Sequence, residues 1–343
     1  MVFLPGIQGE WILFSAKRKP LFFGIFLVAA TFKLRNRYAN KRRLKPAATK
    51  NWVFRLDTVY PQKALRNIDR MTRSKIITVV NQKGGVGKTT TSVSLAAALG
   101  LAGYPVLLID LDPQGNATSG VGVAKDDRDR SVYPLILGQT GIEDCIRATE
   151  FTNLSLVPSH PDLTGAEVEL ISFLGREYRL KEAINPIRDK YSFILIDCPP
   201  SLNILVINGL ACADELIVPI QAEYYALEGI SQLMGAIRLV RERLNPDLRI
   251  SGVLLTMSDS RTRLSQQVID EVRGFFKGDV FETVIPRNVR LGEAPSLGKP
   301  IQYYDDRSFG AIAYNALAEE ITNKLAPAAQ IWGMGNGESG MVL

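Results

Sequence analysis

From Lys75 onward the chain alternates short apolar runs with longer amphipathic stretches. The runs Ile76–Val80, Val106–Asp110, Leu154–Val157, Phe193–Asp197, Glu215–Pro219, Ile250–Met257 and Phe281–Ile285 are mostly β-branched or aliphatic, the pattern of strands buried on both faces. Between them Thr89–Ala102, Arg176–Arg188, Leu202–Ala211, Ala226–Leu244 and Ser265–Phe276 read as helices, and Ser308–Leu325 closes the series ahead of Pro327. Strand–helix alternation of this kind predicts the α/β class: an open, mostly parallel, twisted sheet with helices on both faces.

Charge divides the chain in a way its overall net charge of +6 hides. Residues 1–70 hold 15 Lys/Arg against 3 Asp/Glu, and the remainder holds 26 against 32. The first segment contains a 12-residue apolar run, Leu21–Phe32, flanked by Lys17-Arg18-Lys19 and by Lys33, Arg35, Arg37 and Lys41-Arg42-Arg43. That run is short of the roughly 20 residues a membrane-spanning helix needs. Residues 1–70 are therefore expected to be a basic extension outside the fold, with a short membrane anchor or a transit peptide as alternatives. Met71 stands just before the first strand, so residues 71–326 are expected to form the folded domain and residues 327–343, rich in glycine, a disordered tail. Because the domain itself is mildly acidic, any contact with nucleic acid has to come from a local cluster of cations. Cys145, Cys198 and Cys212 make no metal or redox spacing, and a single histidine, His160, leaves little for histidine-based hydrolysis.

The segment Val80-Asn81-Gln82-Lys83-Gly84-Gly85-Val86-Gly87-Lys88-Thr89-Thr90 follows an apolar strand and opens a helix, the context in which a glycine-rich loop cradles phosphates. Glycines let backbone N–H groups turn toward the ligand, and the helix adds the positive end of its dipole. Lys88 is placed to neutralise β- and γ-phosphates, and the Thr89 hydroxyl to bind Mg²⁺. Phe193-Ile194-Leu195-Ile196-Asp197 is an apolar strand ending in a carboxylate, a second Mg²⁺ ligand candidate. Leu107-Leu108-Ile109-Asp110-Leu111-Asp112 puts two more carboxylates at the ligand side of such a sheet. A strand-end aspartate by itself is often only a turn former, and the phosphate loop is what raises the functional reading. With it the fold expected is that of a P-loop NTPase, with ATP and Mg²⁺ as cofactors.

Where the general P-loop has glycine, this chain has Gln82, followed by Lys83. The form Lys83-Gly84-Gly85-Val86-Gly87-Lys88-Thr89-Thr90 resembles the deviant Walker A motif of the ParA/MinD family. The likeness to its chromosomal, Soj-type branch extends over Asp112-Pro113-Gln114-Gly115-Asn116-Ala117-Thr118-Ser119-Gly120, Gly165-Ala166-Glu167-Val168-Glu169-Leu170 and Ile285-Pro286-Arg287-Asn288-Val289-Arg290-Leu291-Gly292-Glu293-Ala294-Pro295-Ser296. The resemblance implies a partitioning ATPase that forms an ATP-sandwich homodimer, binds DNA without sequence preference and is released when a ParB-type partner stimulates hydrolysis. It implies a cytoplasmic, nucleoid-associated protein. It further implies that Lys83 acts across the dimer, that Asp112 positions the attacking water, that Met257, Pro286 and Asn288 lie on the adenine side, and that Arg261 and Arg290 touch DNA. The alternative is a MinD-type division-site ATPase, which ends in a basic amphipathic membrane helix; Ala326 to Leu343 carries no basic residue, so membrane contact is expected through residues 1–70 alone. An iron–sulfur ATPase of the same superfamily would need cysteine ligands in a cluster motif, which these three cysteines do not form.

Overall fold

Seven strands assemble into one sheet in the computed structural model, which describes residues 2–5, 11–14, 74–223, 226–227 and 229–325. The strands are β1 (Lys75–Val79), β2 (Val106–Asp110), β3 (Arg147–Ala148), β4 (Leu154–Val157), β5 (Phe193–Asp197), β6 (Glu215–Gln221) and β7 (Arg249–Thr256). Their order across the sheet is β3-β4-β2-β5-β1-β6-β7, and all pairs are parallel except the short β3 against β4. Described residues from Ser74 to Leu325 belong to one compact unit. Separately, Val2–Pro5 pairs antiparallel with Trp11–Phe14. The expected apolar run at residues 21–32 and the expected tail at 327–343 lie outside the described residues, and among the described residues no helix is long and apolar enough to cross a membrane.

Alternation along each strand feeds two cores. Ile76, Leu107, Ile109, Ile194 and Ile196 point to one side, where they meet α2 (Ile204–Cys212), α3 (Ile230–Arg243) and α4 (Arg263–Phe276). Ile77, Val79, Leu108, Phe193 and Leu195 point to the other, against α1 (Lys88–Leu101) and α5 (Phe309–Leu325). Helices therefore cover both faces, as continuous apolar strands require. α1 is buried along most of its length from Thr91 to Gly100, and Tyr314 of α5 meets Thr91 in a buried hydroxyl pair at 3.0 Å.

Two expected elements change form. The helix expected over Arg176–Arg188 is broken into a 3₁₀ turn (Arg176–Tyr178), a short α-helix (Arg179–Ile184) and a second 3₁₀ segment (Asn185–Lys190). Pro186 supplies no N–H and its ring crowds the preceding turn. The strand expected at Phe281–Ile285 does not form. The Glu320 carboxylate accepts from Glu282 N (2.9 Å) and Thr283 N (3.1 Å), pulling the middle of the segment off the ladder. Only isolated parallel bridges remain at either end, Val253 with Val280 and Ser258 with Pro286.

Candidate nucleotide site

The ligand side of the sheet is set by register. Asp110 lies beside Asp197, and Asp197 beside Val79, so the two strand-end carboxylates stand in a row on one side of the start of the phosphate loop. From β1 the chain crosses to β2 on one side and later returns to β6 on the other, which makes the end of β1 the switch point where open α/β sheets bind ligands.

Gly87 opens α1 with φ +89°, a left-handed conformation that L side chains rarely adopt. A Cβ at Gly84 or Gly85 would meet nothing within 4 Å, so these two peptides face open space in front of the helix. Two buried side-chain bonds tie the loop to neighbouring strands: Thr256 Oγ1 donates to Val86 O (2.8 Å), and Asn81 Nδ2 donates to Pro219 O (2.7 Å). The Lys88 ammonium folds back to donate to Lys83 O at 2.9 Å. Lys83 itself is half-buried and Thr90 lies in the first turn of α1.

Thr89 Oγ1 donates to Asp197 Oδ2 at 2.8 Å, and Ser92 Oγ donates to Asp197 Oδ1 at 2.8 Å. Asp110 is wholly enclosed and accepts from Asp112 N (3.1 Å), Thr118 N (2.8 Å) and Thr118 Oγ1 (2.7 Å). Asp112 is buried and its Oδ1 accepts from Gln114 N at 3.0 Å. Ser159 Oγ donates to Asp112 O, and Ser159 N to Thr118 Oγ1. Asp110 is thus the clasp of the Asp112 loop, with its oxygens occupied by that loop.

Burial pushes the carboxyls of Asp197 and Asp110 up, and the neighbouring charges of Asp110 at Asp197 and of Asp112 at Asp110 add to it. Burial lowers the Lys88 ammonium, against the pull of Asp197 and Asp112. The Asp197 carboxylate and the Thr89 hydroxyl are hard oxygen donors with Asp112 also buried nearby, and they fit a small divalent cation. Among the described residues no group of three or more His, Cys, Asp or Glu side chains makes a metal cage by itself, which suits Mg²⁺, an ion usually held by one or two carboxylates together with phosphate oxygens and water.

On the other flank of the loop, a Cβ at Gly87 would stand 3.8 Å from Thr256 Cγ2 and 4.0 Å from Met257 Cε. Met257 has φ +53°, strained for a residue with a side chain. The bridge of Ser258 with Pro286 brings Pro286 beside the Met257 end of this flank, while Asn288, two residues on, uses its carboxamide to cap the helix Val289–Glu293 through Arg290 N (2.9 Å). Arg261 extends from the loop after Ser258 and Arg290 from the first turn of the helix that follows Pro286, and both are paired within the chain. Arg261 donates twice to Asp259 (2.8 and 2.7 Å); Arg290 donates to Glu293 (2.8 Å) and lies 3.5 Å from Asp305. The structure thus gathers Lys83, Lys88, Thr89, Asp112 and Asp197 around one crevice and leaves Arg261 and Arg290 outside it. Asn81, Ser92, Thr118, Ser159 and Thr256 also build the site. Of these, Asn81 and Thr118 lie inside the motifs read from the sequence, whereas Ser92, one helical turn after Lys88, Ser159 and Thr256 do not.

An AAA-domain family model matches residues 74–250. The sporulation initiation inhibitor protein Soj of Bacillus subtilis is 55% identical over 247 residues, 72% of this chain and 98% of the relative. The chromosome partitioning protein ParA of Myxococcus xanthus is 52% identical over 256 residues, 75% of this chain and 90% of the relative. The chain belongs to the ParA/MinD family. Solved structures of similar fold include a cobyrinic acid a,c-diamide synthase from Mycobacterium smegmatis with bound ADP and magnesium, at 36% identity and a TM-score of 0.65 over 79% of this chain and all of that one. Another is the cell division ATPase MinD of Pyrococcus furiosus, at 30% identity and a TM-score of 0.61 over 74% of this chain and all of that one.

Proposed function

We infer that this chain is a partitioning ATPase that hydrolyses Mg²⁺-bound ATP and moves DNA. The observation that carries the reading is the crevice itself: Lys88, the Thr89–Asp197 pair and Asp112 around a glycine loop, in a chain about half identical to Soj and ParA. In this reading Lys88 leaves the Lys83 carbonyl for the β- and γ-phosphates, and the N–H groups of Gly84, Gly85, Val86, Gly87, Thr89 and Thr90 line the phosphate cradle. Thr89 and Asp197 would hold Mg²⁺, whose part is to neutralise charge on the phosphate oxygens. Asp112 has one oxygen turned by Gln114 N–H and offers the other to a water. That water's oxygen bonds to the γ-phosphorus as the bond to the bridging oxygen breaks, the electron pair leaves with ADP, and the water's proton passes to the phosphate product or to solvent. Met257, Pro286 and Asn288 flank the adenine.

ATP-bound chains pair face to face, with Lys83 reaching the partner's nucleotide. The pair binds DNA without sequence preference through Arg261 and Arg290, and a ParB-type protein stimulates hydrolysis and so releases it. The site of action is the cytoplasm at the nucleoid. The lower identity to MinD and the higher identity to Soj and ParA favour DNA over membrane as the surface served.

Asp112→Ala tests the reading. It is expected to bind ATP, to lose turnover by roughly a hundredfold or more, and to run as a persistent dimer with ATP in size-exclusion chromatography. Normal hydrolysis, or a monomer with ATP, would remove Asp112 from the reaction.

A further inference from the structure

Asn81 joins the end of β1 to the phosphate loop, and both ends of its buried carboxamide are used. Nδ2 donates to Pro219 O of β6 at 2.7 Å, and Oδ1 accepts from Lys83 N at 3.0 Å. The backbone ladder between β1 and β6 runs out just before it, with Val80 N donating to Ile217 O. In a parallel ladder the next acceptor along β6 is Pro219 O, and the residue to donate to it would be Gln82. Asn81 takes that acceptor with its side chain. The backbone is released to turn into the loop while it stays tied to the sheet.

The tie then acts on Lys83. Its N–H is held by Asn81, and its carbonyl is held by the Lys88 ammonium at 2.9 Å. The next two residues, Gly84 and Gly85, are exposed, with open space where a Cβ would stand. Of these two holds on the peptide, Lys88 is the one a nucleotide would claim. Once Lys88 turns to the phosphates, Asn81 is the remaining side chain that orients the Lys83 peptide, and with it the direction in which the Lys83 side chain leaves the loop.

We propose that Asn81 is the positioning residue for Lys83, aiming its ammonium out of the chain's own crevice toward a second copy of this chain. This rests on the reading of Lys83 as acting across an ATP-bound dimer. It makes Asn81 separable from the residues that bind nucleotide within one chain: its loss should spare binding and damage pairing and turnover.

The experiment uses the full chain and compares Asn81→Ala, Asn81→Ser, Lys83→Ala and Lys88→Ala. It measures affinity for a fluorescent ATP analogue with Mg²⁺, ATP-dependent dimer mass by light scattering, steady-state turnover and the thermal midpoint. Asn81→Ala is expected to bind the analogue within about threefold of the wild type, while kcat falls by about tenfold or more and the dimer is lost, as for Lys83→Ala. A serine hydroxyl can accept from the N–H two residues on but cannot span to Pro219. Asn81→Ser is therefore expected to recover much of the dimer. A change of thermal midpoint alone, shared equally by both Asn81 variants, belongs to the lost Pro219 bond and does not move the split between binding and kcat.

Normal pairing and turnover by Asn81→Ala overturns the proposal. So does loss of analogue binding to the level of Lys88→Ala, which would make Asn81 a support of the whole loop. A serine variant no better than alanine overturns the assignment to the Lys83 contact. A wild-type chain that stays monomeric with ATP, or a Lys83→Ala chain that pairs normally, overturns the dimer reading first and this inference with it.

Discussion

Lys88 shows how one side chain reads differently in one dimension and in three. The loop spacing identifies it as a phosphate ligand, because a lysine after the last loop glycine stands at the start of a helix. The structure adds that its ammonium is buried, lowered by that burial and already bonded to Lys83 O. A nucleotide must therefore outcompete an existing bond, and it does so with charge. Lys88→Ala is expected to weaken ATP binding by at least tenfold, since a hydrogen bond to a charged group contributes about 1.5–3 kcal/mol. Titration with a fluorescent ATP analogue measures it, and an unchanged Kd would exclude Lys88 from the phosphate site. Ser159 illustrates the opposite case. It holds both Asp112 O and the Thr118 hydroxyl, yet it comes 47 residues after Asp112 in the chain, and a lone serine after a strand has no spacing to betray it.

At the scale of elements, the junction between the Asp112 loop and the arm bearing Arg290 is made of backbone. The short helix Asn116–Gly120 leads into Gly122, and the 3₁₀ turn Ala294–Leu297 leads into Gly298. Both glycines have positive φ, and a Cβ on Gly298 would stand 2.8 Å from Gly122 Cα. Neither side can swing aside, because both are main chain. Gly298→Ala is expected to destabilise the fold by about 2 kcal/mol from the left-handed backbone alone, with the contact adding to it. The exposed Gly274 in α4 has nothing within 4 Å of an added Cβ. Gly274→Ala is expected to stabilise by about 0.5–1 kcal/mol as a helix-interior glycine replaced by alanine. Urea unfolding with a shared m-value reads both. Opposite signs are expected, and equal midpoints would mean that the junction yields. The glycines are visible in the sequence, but their apposition is not, since 176 positions separate them.

At the scale of the molecule, charge decides how DNA could be held. The chain beyond residue 70 has more carboxylates than cations, so a diffuse basic surface is not available, and sequence-independent binding needs a few gathered cations. The bridge of Ser258 with Pro286 sets the loop of Arg261 beside the segment that leads into the helix of Arg290, but each guanidinium is paired with a neighbouring carboxylate. Arg261 holds the Asp259 carboxyl down at about 2. Phosphates would have to displace these partners. Replacing both arginines by glutamate is expected to abolish ATP-dependent DNA binding while dimerisation with ATP persists, and wild-type affinity should fall steeply with salt. A double variant that still shifts DNA at wild-type concentration places the contact elsewhere, with the basic residues 1–70 the next candidate. A chain starting at Met71 answers that in turn. It is expected to fold and to hydrolyse ATP like the full chain, and an insoluble or inactive product would give residues 1–70 a role.

What the sequence alone determined is local in origin. Strand–helix alternation, the glycine loop between β1 and α1, and the aspartates at the ends of β2 and β5 all lie within short windows, where side-chain period, backbone freedom and the order of residue types carry the information. The tertiary structure decided whatever depends on which segments become neighbours. The run 281–285 has the composition of a strand, but Glu320, some forty positions later, takes the N–H groups of Glu282 and Thr283, and only the ends of the run stay bonded to β7. Asn81 is one polar residue among several at the mouth of the loop until β6 arrives beside β1 and offers Pro219 O. In each case the deciding hydrogen bond is set by how chain segments pack together, and a hydrogen bond has no signature in the sequence until both its partners are in place.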